Sequence, residues 1–492
     1  MMAIGAILFA LLLALLFVSF LKQLWSRRHL PPGHLALPLI GTTWIDGVWL
    51  RKDYFQKPEK RYGNICSIWV GSHLLVVLSG FKTVKEAMTS FPEEFSPRME
   101  DAFLTAIGKG KGILLSNGHT WKEQRHFIIT TLRKLGLGKK SFEHQLEDRA
   151  QALVEMFRQT KGEPFDPSFP VLNAISNVIF ALSFGGQLAP EDENFKKLVQ
   201  AIHVIVDVTG DTYHLLYSLV PQILKYLPGP HQKALAAIET IISFVEQEIE
   251  KHKETSSSHE PQDFIDHYLL QIEKSKNDPN STYEEENLAH CILDFFVAGI
   301  DTSFATLTWN LLLLSTHLHI QEKVQKEIED VFGLSGSISY QDRKKLPYTN
   351  AVIHEMQRVK YVMLFGAPRQ SAKDVKFRGY LIPKGSIIIA DMRSVLFDPE
   401  LWETPEEFNP NHFLDKDGKF LDRKEFLPFG MGERVCVGQQ LARTEIFIFL
   451  TSLLRAFSFR LPEGVKELNE EPIVKVTMHP RPYKLCAIPK QV

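Results

Sequence analysis

Between Met1 and Leu21 no side chain is charged, and the apolar run AIGAILFALLLALLFVSFL would make a helix roughly 30 Å long, enough to cross the hydrocarbon layer of a membrane. Lys22, Arg27 and Arg28 follow it, and the positive-inside tendency then places the rest of the chain on the cytosolic side. A cleaved signal peptide usually has a basic start, a shorter apolar core and a small-residue cleavage site. Here the cations come after the run, so an uncleaved anchor is expected. In the next segment, HLPPGHLALPLIG, Pro31, Pro32 and Pro38 stiffen an extended chain while Gly33 and Gly41 allow turns. It reads as a rigid spacer or a plain linker.

Two short apolar runs ending in glycine, ICSIWVG and LLVVLSG, predict a hairpin or small sheet. Helical periodicity then covers Phe142–Thr160, Pro190–Val208, Gln232–Lys253 and Asp263–Glu273, with a polar break at Thr255–Gln262. The stretch AIHVIVDVTGDTYHLLYSLVPQILKYL is a buried core helix, a pocket wall or a segment dipping into a membrane interface. After Pro347 come a helix through TNAVIHEMQRV, strand-like pieces in GAPRQSA, FRGYLIP and GSIIIAD, and a last helix Gln439–Phe457. No internal repeat is visible and no domain boundary suggests itself after Pro347. The pattern predicts a mostly helical α+β fold.

Composition narrows the function classes. Over 492 residues, 44% hydrophobic and 23% charged side chains suit a globular protein with a substantial core and exclude general disorder. A formal net charge of −2 gives no support for binding nucleic acid. Four widely spaced cysteines, Cys66, Cys291, Cys436 and Cys486, form no CxxC pair and no zinc-type cluster. A disulfide framework is not expected, in keeping with a reducing compartment. The sequon at Asn280 would be silent in a cytosolic domain.

The most specific signal is FLPFGMGERVCVGQQLARTEIFIFLTSLLRAF, in which Gly430, Gly432 and Gly438 bracket Cys436 just before an apolar helix. Glycines let the backbone turn sharply and approach a flat partner, and a sulfur at a helix N-terminus is favoured as thiolate by the free N–H groups there. A lone cysteine is usually an inert buried thiol, but Phe429, Gly432, Arg434, Cys436 and Gly438 fill F-x-x-G-x-R-x-C-x-G. In this the chain resembles the cytochrome P-450 family. The resemblance implies that Cys436 is the axial ligand of a haem iron, whose thiolate donation favours O–O cleavage, and that Arg434 reaches a haem propionate.

Further segments carry the same resemblance. Gly299, Asp301 and Thr302 interrupt the apolar helix of ENLAHCILDFFVAGIDTSFATLTWNLLLLS; an interior glycine there costs about 1 kcal/mol, and such a break marks a widened turn or a pocket. Ser281 and Thr282 with Glu284 and Glu285 suggest a capping box at its start. AGIDTS resembles the family's oxygen-binding signature, implying that Thr302 hydrogen-bonds dioxygen at the iron and Asp301 relays protons; by itself it is a tolerated polar kink. Glu355 and Arg358 share one helical face, where an exposed pair would contribute only a few tenths of a kcal/mol. The resemblance makes them a buried structural pair joined by His412, where many relatives have arginine. Trp121 and Arg125 lie one helical turn apart in WKEQR, an ordinary exposed pair without the resemblance, which assigns them and Arg98 and Arg369 to the propionates.

The resemblance extends from the anchor to the last strands, and looks closest to the microsomal second family of animal cytochromes P-450, although the spacer lacks one usual proline. It implies a cytochrome P-450 fold with a small β-rich region, a transmembrane signal anchor at 1–21, a linker at 22–41 and a haem-thiolate catalytic domain at 42–492. It further implies haem b (iron protoporphyrin IX), electrons from NADPH through NADPH-cytochrome P-450 reductase, cytochrome b5 as an accessory partner, and the endoplasmic reticulum membrane. The reaction implied inserts one atom of dioxygen into a hydrophobic xenobiotic, fatty acid or steroid. Lys122, Arg133, Lys139, Lys140 and Arg434 are candidates for a basic docking patch or an ordinary solvated face. Phe295, Phe296, Ala298, Met363, Leu364 and Phe365 are candidates to line the substrate pocket. A haem-thiolate isomerase or dehydratase and a membrane-tethered haem or lipid carrier are the competing readings; relatives of the first kind commonly lose the acid–alcohol pair that Asp301 and Thr302 retain.

Overall fold

The computed structural model describes residues 27–37, 40–42, 56–255, 260–333, 336–363 and 366–490, with scattered positions before residue 19. The expected anchor lies largely outside the described residues; Ile7, Ala10, Leu11, Ala14, Phe17 and Val18 within it are helical. Pro38, Leu364 and Phe365 also fall outside them. The chain groups into two compact units, each discontinuous in sequence. The smaller comprises Met1–Glu100, Phe365–Leu401 and Gly430–Val435, and the larger Asp101–Leu364, Trp402–Phe429 and Cys436–Val492.

The smaller unit is built on a four-stranded sheet in which β1 (Ile65–Val70) and β2 (His73–Leu78) form the expected antiparallel hairpin, Ile65 opposite Leu78 and Val70 opposite His73. Of the later strands, β3 (Arg369–Gln370) and β6 (Ile387–Ala390) complete this sheet, while β4 (Val375–Phe377) pairs only with β5 (Tyr380–Ile382). β6 runs parallel to β2 with Leu75 opposite Ile387, which explains the unbroken run LLVVL. A strand with both faces covered has no need of polar alternation, and Val76, Val77 and Leu78 are all fully buried. The proline-rich segment is part of this sheet's edge. The Ser67 amide donates to the Pro32 carbonyl at 2.8 Å, and a Cβ on Gly33 would lie 2.0 Å from the Ser67 carbonyl oxygen. Only glycine allows that approach.

The larger unit holds the main apolar core, spread over the helices Lys140–Arg158, Ser168–Phe184, Glu193–Val208, Pro230–Thr255, Phe264–Ser275, Pro347–Val359 and Gln439–Ala456. These match the predicted segments to within a few residues, and Ser168–Phe184 adds one with little periodicity because it is buried nearly all round. Two small sheets finish the unit: β7 (Phe457–Arg460) with β10 (Cys486–Pro489), and β8 (Ile473–Val474) with β9 (Met478–His479). The helical run Glu285–Thr316 is long and apolar enough to cross a membrane, yet most of it is buried in this core. The expected capping box does not form at its start. Glu284 is the N-cap without a side-chain cap, because Thr282 is held instead by Glu123 and by the Gln124 amide at 2.8 Å.

The long apolar stretch divides. Ile202, Ile205, Val206 and Val208 are core, but Leu216, Leu219, Ile223, Tyr226 and Leu227, on and after the helix Thr212–Leu219, are exposed, Tyr226 by 77%. A single buried core helix is therefore not what this sequence makes.

Glu355 and Arg358 are fully buried, not a surface pair. Arg358 Nε and Nη2 donate to the two Glu355 carboxylate oxygens at 2.8 and 2.7 Å, and the same guanidinium reaches the Pro405 and Glu407 carbonyls at 2.7 and 3.0 Å. Glu355 Oε1 also accepts the Asn409 amide and His412 Nδ1, both at 3.0 Å. The pair thereby fixes the 405–412 segment to the helix Pro347–Val359. Glu355→Gln should cost about 3–5 kcal/mol, since it strands a buried cation, whereas Glu355→Leu with Arg358→Leu should recover part of that loss. Urea unfolding of the three proteins checks this, and a loss below about 1 kcal/mol in the single variant would place the pair at the surface after all.

Candidate active site

Cys436 stands at the mouth of the helix Gln439–Ala456, whose N-cap is Gly438. Its amide donates to the Phe429 carbonyl at 3.0 Å, closing the loop, and the Phe429 ring lies under the Arg443 guanidinium, 5.3 Å from centroid to carbon. The backbone N–H groups of Gly438 and Gln439 point at the sulfur and Arg125 adds a positive field, all favouring thiolate. Burial is the larger effect and pushes the thiol's pKa up. Protein crowds the sulfur on most sides while the residue keeps one open face. Gly438 has an ordinary φ of −83°, so of the three loop glycines only Gly430 and Gly432 need left-handed backbone. At Gly432 a Cβ would come within 2.4 Å of the Met88 carbonyl oxygen. Its close partner among the described residues is thus backbone.

On the helix Gly118–Lys134, Trp121 is buried and Arg125 lies over its ring, 5.9 Å from the centroid. The basic residues Lys122, Arg133, Lys139 and Lys140 are exposed, but Arg434 is buried and so cannot belong to a docking patch.

In the smaller unit three arginines gather on adjoining segments. Arg434 Nε donates to the Ser96 carbonyl at 2.9 Å, and the Ser96 hydroxyl to Glu433 at 3.1 Å. Arg369 donates to the Met431 carbonyl at 3.0 Å, and Arg98 to that of Ala367 at 2.6 Å, while the backbones of Arg98 and Arg369 bridge directly. Burial lowers the Arg369 pKa to about 10 against the opposing field of Glu433. Carbonyl acceptors meet some of the donors of these guanidiniums while leaving their positive charge in place.

The long helix changes register in its middle. Phe296–Ile300 form a π turn between the α-helices Glu285–Phe295 and Asp301–Thr316, the widened turn that Gly299 foretold; a Cβ there would meet Ile179 Cδ1 at 2.8 Å. The extra residue in the turn swings Phe296 into the core, against Phe180 and Phe184 at 5.1 and 5.9 Å between centroids. Phe296 is fully buried and so does not line a pocket, and Phe295 packs on Phe264 at 4.8 Å. Ala298 is exposed and Gly299, Thr302 and Met363 half-buried. The Thr302 hydroxyl donates to the Ala298 carbonyl at 2.7 Å, satisfying a group next to the break.

Asp301 is 2% exposed, and its Oδ2 accepts the Thr477 hydroxyl at 2.6 Å and lies 3.2 Å from His479 Nε2. Burial pushes this carboxyl up, but His479, Thr477 and His203 together hold it below its usual range. Neither Thr477 nor His479 was foreseen from the sequence. They sit more than 170 residues further on in a segment without a recognisable pattern.

The family model described as Cytochrome P450 matches residues 31–487. Cytochrome P450 2J2 of Homo sapiens is 39% identical over 476 residues, 97% of this chain and 94% of the relative. Cytochrome P450 2J5 of Mus musculus is 39% identical over 487 residues, 98% and 96% respectively, and cytochrome P450 2C8 of Homo sapiens 38% identical over 477 residues, 96% and 97%.

One buried acid beside the bulged helix was also missed. Glu445 is 1% exposed, hydrogen-bonds Ser303, and has its pKa raised to about 8 by burial. A carboxyl whose folded pKa lies above its unfolded value gives its full stability below about pH 4.5 and loses it progressively as pH climbs toward 8. Relative to Glu445→Gln, which keeps the shape without the proton, the native protein should therefore lose up to about 1.4 kcal/mol per pH unit across that window. Unfolding titrations at about pH 5 and about pH 8 measure the gap; parallel pH profiles for the two proteins would show that Glu445 is not buried as a neutral acid.

Proposed function

The chain belongs to the cytochrome P450 family, and from that membership we propose that Cys436 is the cysteine through which this haem-thiolate monooxygenase holds its iron protoporphyrin IX. The observation that carries the reading is the full cysteine-loop signature, with the sulfur placed under the amides of Gly438 and Gln439 at a helix N-terminus. The residues fit the group. A thiol that burial keeps protonated is what a metal cation converts to thiolate, because the ion's charge outweighs the desolvation. Arg434 and Arg369 are buried cations, and Arg98 and Arg125 half-buried ones, suited to two propionate carboxylates, with Trp121 offering an indole N–H. Phe429 closes the loop beneath the sulfur.

When bound, thiolate-ligated haem supplies dioxygen activation, with electron donation from sulfur favouring O–O cleavage. The chain's own contribution on the other side is Thr302 and Asp301. The Thr302 hydroxyl, positioned by the Ala298 carbonyl, would be the donor nearest the reacting group, and Asp301 would hold and pass protons at Oδ2. The accessible small residues Ala298 and Gly299 leave room for an apolar substrate, with Met363 as a further candidate contact. We assign xenobiotics, fatty acids including polyunsaturated ones, and steroids as the substrate classes, and NADPH-cytochrome P-450 reductase as the electron source, docking on Lys122, Arg133, Lys139 and Lys140. Cytochrome b5 is a second candidate for that face.

The membrane of the endoplasmic reticulum is the proposed location, with residues 1–21 as anchor, 22–41 as spacer and the domain from residue 42 on the cytosolic side. The exposed Leu216, Leu219, Ile223, Tyr226 and Leu227 support a second contact with lipid, since an apolar surface of this size is rarely left in water.

The reduced, carbon monoxide-bound absorption spectrum is the test. The native protein should give a Soret band red-shifted well past that of histidine-ligated haem, lost in Cys436→Ala, and should then oxidise members of a fatty-acid and drug panel only with NADPH and reductase. A histidine-type band or absent haem would remove the assignment; a thiolate band without turnover under any electron supply would favour a carrier, and turnover of peroxides without electrons an isomerase.

A further inference from the structure

The acid on the bulged helix is not solitary. Thr477 Oγ1 donates to Asp301 Oδ2 at 2.6 Å and lies 2.9 Å from His479 Nε2, which itself is 3.2 Å from the same Asp301 oxygen. A hydroxyl that gives its proton to a carboxylate can only accept from the imidazole, so His479 Nε2 must carry a hydrogen, directed at both oxygens. The segment bearing these residues is held rigidly against the helix. The Met478 amide donates to the Val362 carbonyl at 2.7 Å, Trp309 Nε1 to the Met478 carbonyl at 3.0 Å, and the backbones of Thr477 and Met363 bridge.

Solvent access falls on the histidine side. The Asp301 side chain is 2% accessible against 15% for His479. The other ionisable group facing the carboxylate is His203, on the helix Glu193–Val208, whose pKa burial pushes down despite Asp301 and Asp207. The Phe304 ring lies 6.5 Å from His203 and 5.9 Å from His479, between centroids. Farther out Lys475 pairs with Asp207, at 33% and 53% exposure. His479 alone among these joins a direct hydrogen bond to Asp301 with a face toward water.

We propose that His479 is a positioning residue that supplies protons to Asp301, a role that rests on the monooxygenase reading above. The Nε2–H bond of charged His479 breaks as the Asp301 Oδ2–H bond forms, turning an ion pair into a neutral pair. Asp301 then gives that proton up toward Thr302, the next residue of the helix, and the vacated Nε2 takes a proton from solvent. Thr477 keeps the two heavy atoms in register throughout.

His479→Gln separates this from a purely structural role, because glutamine can still donate an N–H to Asp301 but has no proton to transfer. With haem loading matched by the carbon monoxide spectrum, its reductase-supported turnover should fall about a hundredfold, the low end of what positioned proton transfer contributes. The decline of rate with rising pH that reflects loss of the imidazolium proton should also vanish. A second measurement needs no turnover. In the diamagnetic reduced carbon monoxide form, the His479 Nε2–H followed by NMR should exchange with water faster in Asp301→Asn than in the native protein, since the carboxylate that holds it is gone. A His479→Gln protein with native rate and pH profile would overturn the relay alone, and an unchanged His479 Nε2–H exchange rate in Asp301→Asn would overturn the pairing. A native protein without the thiolate-type spectrum would overturn both this inference and the haem assignment.

Discussion

A helix buried over most of its length must satisfy most of its polar groups from within the protein, and the run Glu285–Thr316 does so around a break in its own register. In the π turn Phe296 lies in the aromatic core and Ala298 is accessible, and the Thr302 hydroxyl donates to the carbonyl four residues back, as Thr306 and Thr308 do in the regular helix that follows. Gly299 makes the close passage by Ile179 possible.

Around that helix the protein handles buried ionisable groups in two ways. Where the charge is kept, a partner arrives with hydrogen bonds: Glu355 with Arg358 and His412, Asp301 with His479 and Thr477. Where no side chain of opposite charge is hydrogen-bonded to it, burial shifts the group toward its neutral form. His354 sits among Phe413, Phe420 and Phe426 with its pKa pushed down to about 3, and Asp391 in the smaller unit and Glu445 in the larger are pushed up to about 6 and about 8. The paired groups hold segments in place, and a neutral acid needs only a single hydrogen bond.

What could be read from the sequence was local. Helices with an amphipathic stripe, the β1–β2 hairpin and the glycine-flanked cysteine loop are encoded within about ten to twenty residues, so spacing alone reveals them. Glu355 and Arg358 show the limit: three residues apart, they look like any exposed helix pair, and only the arrival of Pro405, Glu407 and His412 from a distant segment makes them a fully buried lock. The parallel pairing of β2 with β6, more than 300 residues on, carries no sequence signal beyond two apolar runs. Local signals also misled where a tertiary partner competed, as when Glu123 claimed Thr282 from the capping box. His479 was invisible for the same reason, since a lone histidine in a strand end acquires meaning only beside Asp301.

The cysteine loop shows how burial selects a role for a residue. A free thiol works as a nucleophile only when its pKa falls toward neutrality, and the amides of Gly438 and Gln439 with Arg125 push in that direction. Desolvation outweighs them and leaves the thiol's pKa raised. A sulfur so placed is a poor free nucleophile. It ionises readily only when a cation binds directly to it, because the cation's field acts at bonding distance, where burial strengthens the attraction instead of opposing the charge. The loop that keeps the Cys436 thiol protonated is therefore compatible with the ligand role proposed for it.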